Sequence, residues 1–284
     1  MRVQPALVAR ACADSGGVAR TAELFRAGVD AYSLKAAVRS GVVTRVREGV
    51  FATRETPAEV VSAAAHGGVL GCVNRIREAG LWMLDGDDGR VHVSMVRNGR
   101  SRIHVECRCL VHWSGHESER GRSTLVDALA QVLACRGEET FFTALESAMR
   151  RGIVDPAALD RVRARVPKMH RWLIDFARWN ADSGLESLLR LRLHRIGLEL
   201  DSQVEVPGVG RVDFVLGERL VLEVDGVPGH ADTAASRHKD LVRDAVAAAH
   251  GLVTLRFDYA LVVHDWPLVE SAILAAVARG VQLR

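Results

Sequence analysis

The sequence predicts a mixed α/β chain of the α+β type. Three observations predict it. The first fifty-odd residues hold three short helix-like runs and then a basic alternating segment. The next hundred mix helix-like with strand-like patterns, and the last hundred run helix, strands, helix, strand and helix. At 284 residues, with 48% apolar and 26% charged residues, the composition is globular and sufficient for one large or two ordinary domains.

Bulk properties narrow the setting. A net charge of +3 permits nucleic-acid binding without demonstrating it. No stretch approaches the roughly 20 apolar residues that span a bilayer. The start, MRVQPALVARACADSGG, lacks the long apolar run of a signal peptide. No membrane partner and a cytoplasmic location are therefore expected. The five cysteines (Cys12, Cys72, Cys107, Cys109, Cys135) are odd in number and contain no CxxC pair. They signal neither a disulfide framework nor a zinc site and read as reduced thiols in or near cores.

From the N-terminus, ALVARACA, TAELFRAG and AYSLKAAVRS have helical apolar spacing, with Ala31, Leu34, Ala37 and Val38 on one face of the third run. GVVTRVREGVFAT then alternates basic and apolar residues on both sides of Arg47-Glu48-Gly49, as a β-hairpin does. Short helices followed by a basic hairpin are the layout of a winged helix, assigned here to residues 1–56. In that layout Lys35 and Arg39 face the major groove, and Arg45 and Arg47 face the phosphates. Solvated charges on a small helical domain explain the same pattern equally well.

Residues 57–155 form an α/β scaffold in this reading, with helices in PAEVVSAAAHGG, STLVDALAQVLAC and EETFFTALESAMRRG and strands in RVHVSMVRN and RIHVECRCLVHW. The last run alternates Ile103, Val105, Cys107 and Cys109 against His104, Glu106 and Arg108, the pattern of a half-buried strand. His104, His112 and His116 lack partner carboxylates or thiolates at ligand spacing and are not assigned a metal. Residues 156–183, rich in Arg and Trp and interrupted by Pro167, read as a connecting helical segment.

The chemistry concentrates in residues 184–284. A helix LESLLRLRLHRIGLEL precedes strands in SQVEVPGVGRVDFVLG and ERLVLEVDG, and then come a helix RHKDLVRDAVAAAHG, a strand LVTLRFD and a last helix HDWPLVESAILAAVARG. Alternation puts Val221, Glu223 and Asp225 on one side of a strand, with the two carboxylates about 7 Å apart. Asp213 can join them from the neighbouring strand and Glu186 from the helix. Carboxylates gathered beside apolar strands either acquire raised pKa values or take a cation, and oxygen-only ligands suit Mg²⁺, with Mn²⁺ as a substitute. The structural alternative makes Asp213 and Asp225 turn residues and pairs Glu223 with an arginine such as Arg243 or Arg256.

GRVDFVLGERLVLEVDGVPGH followed by KDLVRDAVAAAHGLVTLRF resembles an uncharacterised domain family related to the very-short-patch mismatch-repair endonucleases, within the PD-(D/E)xK superfamily. The resemblance covers roughly residues 184 to 280. It implies a restriction-endonuclease-like αβββαβ core, with Asp213 and Glu223 as metal ligands, Glu186 as the helical acid and His230 at the position of a catalytic histidine. It further implies structural or phosphate-binding roles for Asp240, Arg243 and Arg256. GGVARTAELFRAGVDAYSLKAAVRSGVVTRVREGVFA resembles the antitoxin of AbiE-type abortive-infection systems, a winged helix followed by an α/β domain. Two departures stand out: the superfamily lysine falls at Asp225, and the proline before the first aspartate is Val212. The base must then be His230, or a metal-bound hydroxide needing no side-chain base.

The resulting expectation is a Mg²⁺-dependent DNA endonuclease of repair or phage defence, with DNA and either a toxin or a repair protein as partners. Asp213, Glu223 and Asp225 would hold the ion. The rival expectation is a non-catalytic DNA-binding regulator or antitoxin with a degenerate nuclease fold.

Overall fold

The computed structural model describes residues 4–84, 88–113, 118–225 and 234–283, so His116 and His230 lie outside the described residues. By its internal contacts the chain divides into two units, residues 1–141 with 154–172 and residues 142–153 with 173–284.

The first unit begins with α1 (Pro5–Asp14), β1 (Val18–Arg20), α2 (Thr21–Arg26), α3 (Ala31–Arg39), β2 (Val43–Arg47) and β3 (Val50–Thr53). Pro5 opens α1, where its fixed φ suits a helix start and its missing N–H leaves nothing unpaired. Asp30 caps α3, its Oδ1 accepting from the Ser33 N–H at 2.7 Å. Between β2 and β3 the chain reverses through Gly49 at φ 69°, a left-handed conformation that suits glycine. The sheet runs β1-β3-β2, all antiparallel. Val8, Cys12, Leu24, Leu34, Val43 and Phe51 form its core. This is the winged-helix-like arrangement that the helix and hairpin patterns predict. The additional strand β1 has only three residues, too few for a period-2 pattern to reveal.

Next come α4 (Ala58–His66), β4 (Val69–Leu70), α5 (Cys72–Glu78), β5 (Val91–Met95), β6 (Cys109–Trp113), β7 (Ser118–Glu119), β8 (Arg122–Ser123) and α6 (Leu125–Arg150). The sheet order is β6-β5-β4-β8-β7, with β5–β6 and β4–β8 parallel. Gly137, at φ 83° and ψ −175°, breaks α6 between the two predicted helical runs. α7 (Pro156–Arg165), a 3-10 turn at Lys168–His170 and α8 (Trp172–Phe176) follow.

The predicted strand over RIHVECRCLVHW requires correction: only Cys109–Trp113 is strand. Ile103 and Val105 are 91% and 90% exposed, and Glu106 adopts a left-handed φ of 55°. The Cys107 N–H bonds the His104 carbonyl at 3.1 Å, so a turn replaces the extended backbone.

The second unit continues with α9 (Gly184–Arg195), β9 (Asp201–Val206), β10 (Gly210–Leu216), β11 (Leu220–Asp225), α10 (Ala234–Ala249), β12 (Val253–Asp258), α11 (Tyr259–His264) and α12 (Trp266–Ala278). From α9 to β12 the element order is αβββαβ. β9, β10 and β11 form an antiparallel meander, and β12 joins β11 in parallel after α10, giving β12-β11-β10-β9. Leu220 to Val224 are all buried, as befits an interior strand covered on both faces. The last helix expected over HDWPLVESAILAAVARG is α12, with Pro267 in its first turn, and the short α11 over YALVVH precedes it without having been assigned from the pattern.

Candidate functional site

Glu223, at 8% exposure, projects from β11 between two guanidiniums. Arg243 of α10 approaches its Oε1 at 2.6 Å, and Arg256 of β12 donates from Nε to its Oε2 at 2.7 Å. Both carboxylate oxygens are thus engaged. Arg256 also forks onto Asp244, whose Oδ2 accepts from Nη1 at 2.9 Å, while Arg243 donates to the Val209 and Arg211 carbonyls. The pairing weighed as the structural alternative for Glu223 is therefore present, with both arginines rather than one.

Asp213 accepts the Val224 N–H on Oδ2 at 2.9 Å, which ties its carboxylate to the backbone of β11. Burial raises its pKa, and the charges of Glu223 and Asp225 add to that effect against the opposing Val224 hydrogen bond and Arg243. Asp225 is exposed at the end of β11. Among the described residues, the groups of three or more whose ligand atoms lie within 4.8 Å of one another are made of histidine and cysteine. In this arrangement the two arginines neutralise Glu223.

Glu186 sits 5% exposed in the first turn of α9, after the N-cap Ser183. Its Oε2 accepts from Gln203 Nε2 at 2.7 Å and from the Asp182 N–H at 3.3 Å. Burial, then the nearby Asp213 charge, pushes its pKa up to about 7. Gln203 reaches it from a left-handed backbone, φ 57°, a conformation that costs a non-glycine residue about 1–3 kcal/mol when the surroundings impose it. Gln203 is not apparent from the sequence, since a strained backbone leaves no compositional trace when the residue is not glycine. Asp240 belongs to α10, and its side chain, like His230, lies outside what the structure describes.

In the first unit, Lys35 and Arg39 are exposed on α3 and Arg45 is exposed on β2. Tyr32, 58% exposed, lies three residues before Lys35 and seven before Arg39, so the three share a helix face. Nothing in the local pattern singles Tyr32 out. Arg47 is half-buried on β2. Its Nε donates to the Ala64 carbonyl at 2.8 Å, and it lines a cleft of about 610 Å³ with Arg20, Arg26 and Arg120. Burial, then Arg20 and Arg102, lowers its pKa.

Residues 8–53 match a family model described as transcriptional regulator, AbiEi antitoxin. The match falls on the winged-helix-like elements from α1 to β3. No curated protein matches the chain. Among the described residues, no helix is long and apolar enough to cross a membrane.

Proposed function

We propose that this chain is a DNA-binding transcriptional regulator of the antitoxin type, whose second unit keeps a nuclease-like element order without a working metal site. The observation that carries the proposal is the coincidence of the regulator-family match at residues 8–53 with a helix, α3, that presents Tyr32, Lys35 and Arg39 to solvent. A basic helix face of this kind fits a major groove, and Arg45 on the adjacent hairpin fits the phosphates. The two arginines on Glu223 support the non-catalytic half of the reading, since a carboxylate already neutralised on both oxygens has little to offer a cation.

Sequence selection from random duplex DNA with the full chain, in a metal-free buffer, tests this reading. Enrichment of a common motif, lost in Lys35→Ala/Arg39→Ala, is expected. Binding that stays indifferent to sequence and to these substitutions would remove the regulator reading.

A Mg²⁺-dependent endonuclease is the second reading, favoured by the αβββαβ order and by two acids with raised pKa values, the buried Glu186 and the half-buried Asp213. Nicking of supercoiled plasmid with Mg²⁺ or Mn²⁺, abolished by Asp213→Asn in a folded protein, would put it first. A toxin partner follows from the antitoxin resemblance and is tested by copurification of a chain encoded beside this one.

A further inference from the structure

We propose that the first unit holds two structural zinc ions, one bound by His66, His104, Cys107 and Cys109 and the other by Cys72, His92, His112 and Cys135. In each group, one ligand atom per residue lies within 4.8 Å of the other three. Four of the five cysteines fall into these two groups, and all five are free thiols. In the second group the four ligands come from segments far apart in the chain, whereas the first takes three of its four from His104–Cys109. The first group joins the end of α4 to the turn before β6. The second joins α5, β5, β6 and α6.

The spacing fits the ion. Tetrahedral Zn²⁺ with Zn–N near 2.0–2.1 Å and Zn–S near 2.3 Å places its ligand atoms about 3.3 Å apart for N and N and about 3.6 Å for N and S. Here His66 Nδ1 is 3.3 Å from Cys107 Sγ, and His104 Nε2 is 3.4 Å from Cys109 Sγ. In the second group His92 Nδ1 is 3.0 Å from His112 Nε2 and 3.8 Å from Cys135 Sγ. Two thiolates and two neutral imidazoles neutralise a dication, which lets the site be buried. The soft S₂N₂ donor set selects zinc over the hard cations.

The outer nitrogens strengthen the case, because a ligating imidazole is normally oriented through its other nitrogen. His66 Nε2 lies 2.7 Å from Ser101 Oγ, and His104 Nδ1 lies 3.1 Å from the Val105 carbonyl. His92 Nε2 lies 3.3 Å from Asp88 Oδ2, a carboxylate that also pairs with Arg136. Each leaves the inward nitrogen as the ligand. The backbone is bent to the same end: Glu106 and Cys72 both adopt left-handed φ, 55° and 47°, beside or at the cysteines they position. With four protein ligands apiece, neither site leaves a position open for substrate, so the role is structural.

The test is metal content of the full chain, purified under reducing conditions without chelator, together with Co²⁺ loading under anaerobic conditions. Two zinc ions per chain are expected. Cys107→Ser/Cys109→Ser and Cys72→Ser/Cys135→Ser should each retain one. Cobalt should give the intense d–d bands of a tetrahedral site and thiolate charge-transfer absorption, and each double variant should halve both. Wild-type protein that is folded by circular dichroism, fully reduced by thiol titration, and takes up neither metal at excess would overturn the proposal. One ion per chain, unaffected by one of the two double variants, would overturn it for that group. So would a disulfide joining Cys72 to Cys135 in the native protein.

Discussion

Arg256 on β12 stands directly across from Glu223 on β11 in the parallel register, and its Nε donates to Glu223 Oε2 at 2.7 Å. The pairing places a guanidinium where a nuclease of this layout would need a free carboxylate oxygen. The two arginine side chains are 27% and 34% exposed, so the interaction is partly screened. We expect Glu223→Ala to cost about 1–2 kcal/mol and its double-mutant cycle with Arg256→Ala to show coupling of about 1 kcal/mol, measured by urea unfolding. A coupling near zero would mean that the clamp contributes nothing and that Glu223 is free to exchange an arginine for a cation.

A second carboxylate–arginine pair in the same unit should behave differently because it is dry. Glu146 and Arg190 are 0% and 4% exposed and joined directly, and the guanidinium carbon lies 4.2 Å from the Phe176 ring centroid and 5.3 Å from that of Phe142. Glu146 also accepts the Arg178 N–H at 2.6 Å. Removing the acid strands a buried cation, so Glu146→Ala is expected to destabilise this unit by about 3–5 kcal/mol, well beyond Glu223→Ala. Equal losses from the two variants in parallel denaturation curves would contradict the distinction drawn from burial.

Much of this architecture is legible in local pattern. The α3 stripe of Leu34, Ala37 and Val38 reports which face meets a core, because burial is periodic along a helix. What local pattern hides is convergence. Cys72, His92, His112 and Cys135 span more than sixty residues, and only the pairing of β5 with β6 brings His92 and His112 together. Local alternation also misleads at 102–108, where alternating residues form a turn whose apolar side chains Ile103 and Val105 are exposed. The acids at 186, 213 and 223 are legible as a group, whereas their partners Gln203, Arg243 and Arg256 decide whether they act as ligands or as structural anions.

On the DNA side, exposure separates residues that look alike in sequence. Lys35 and Arg39 are exposed on α3, whereas Arg47 is half-buried with its Nε held by Ala64. Removing one cation that neutralises a DNA phosphate should reduce the slope of log K against log salt by about 0.9. Lys35→Ala and Arg39→Ala are therefore expected to lower duplex affinity, with a flatter salt dependence where the lost cation met a phosphate and a relaxed sequence preference where it met a base edge. Arg47→Ala should leave the slope unchanged while lowering the melting temperature. Fluorescence anisotropy across a salt series measures the first, and a melt the second. A flattened slope in Arg47→Ala would return that residue to the DNA interface.

Glu186 carries a pH signature that separates a desolvated acid from an ordinary surface carboxylate. Burial and the Asp213 charge raise its pKa from 4.5 to about 7. An acid whose folded pKa lies above its unfolded one binds its proton more tightly in the folded chain. Between about pH 4.5 and about pH 7 the folded state therefore holds more protons, and stability falls as pH rises. Below that window both states are protonated and stability is fully retained; above it the cost of ionisation is complete. Asp213, raised by burial as well, tilts the curve in the same direction. Glu186→Gln keeps an oxygen to accept from Gln203 while removing the titration. The variant should gain stability relative to wild type at pH 8 and lose that advantage by pH 5, read from unfolding free energies in urea at the two values. A difference independent of pH would show that Glu186 ionises normally, and with it would go the strongest electrostatic argument for a catalytic carboxyl in the second unit.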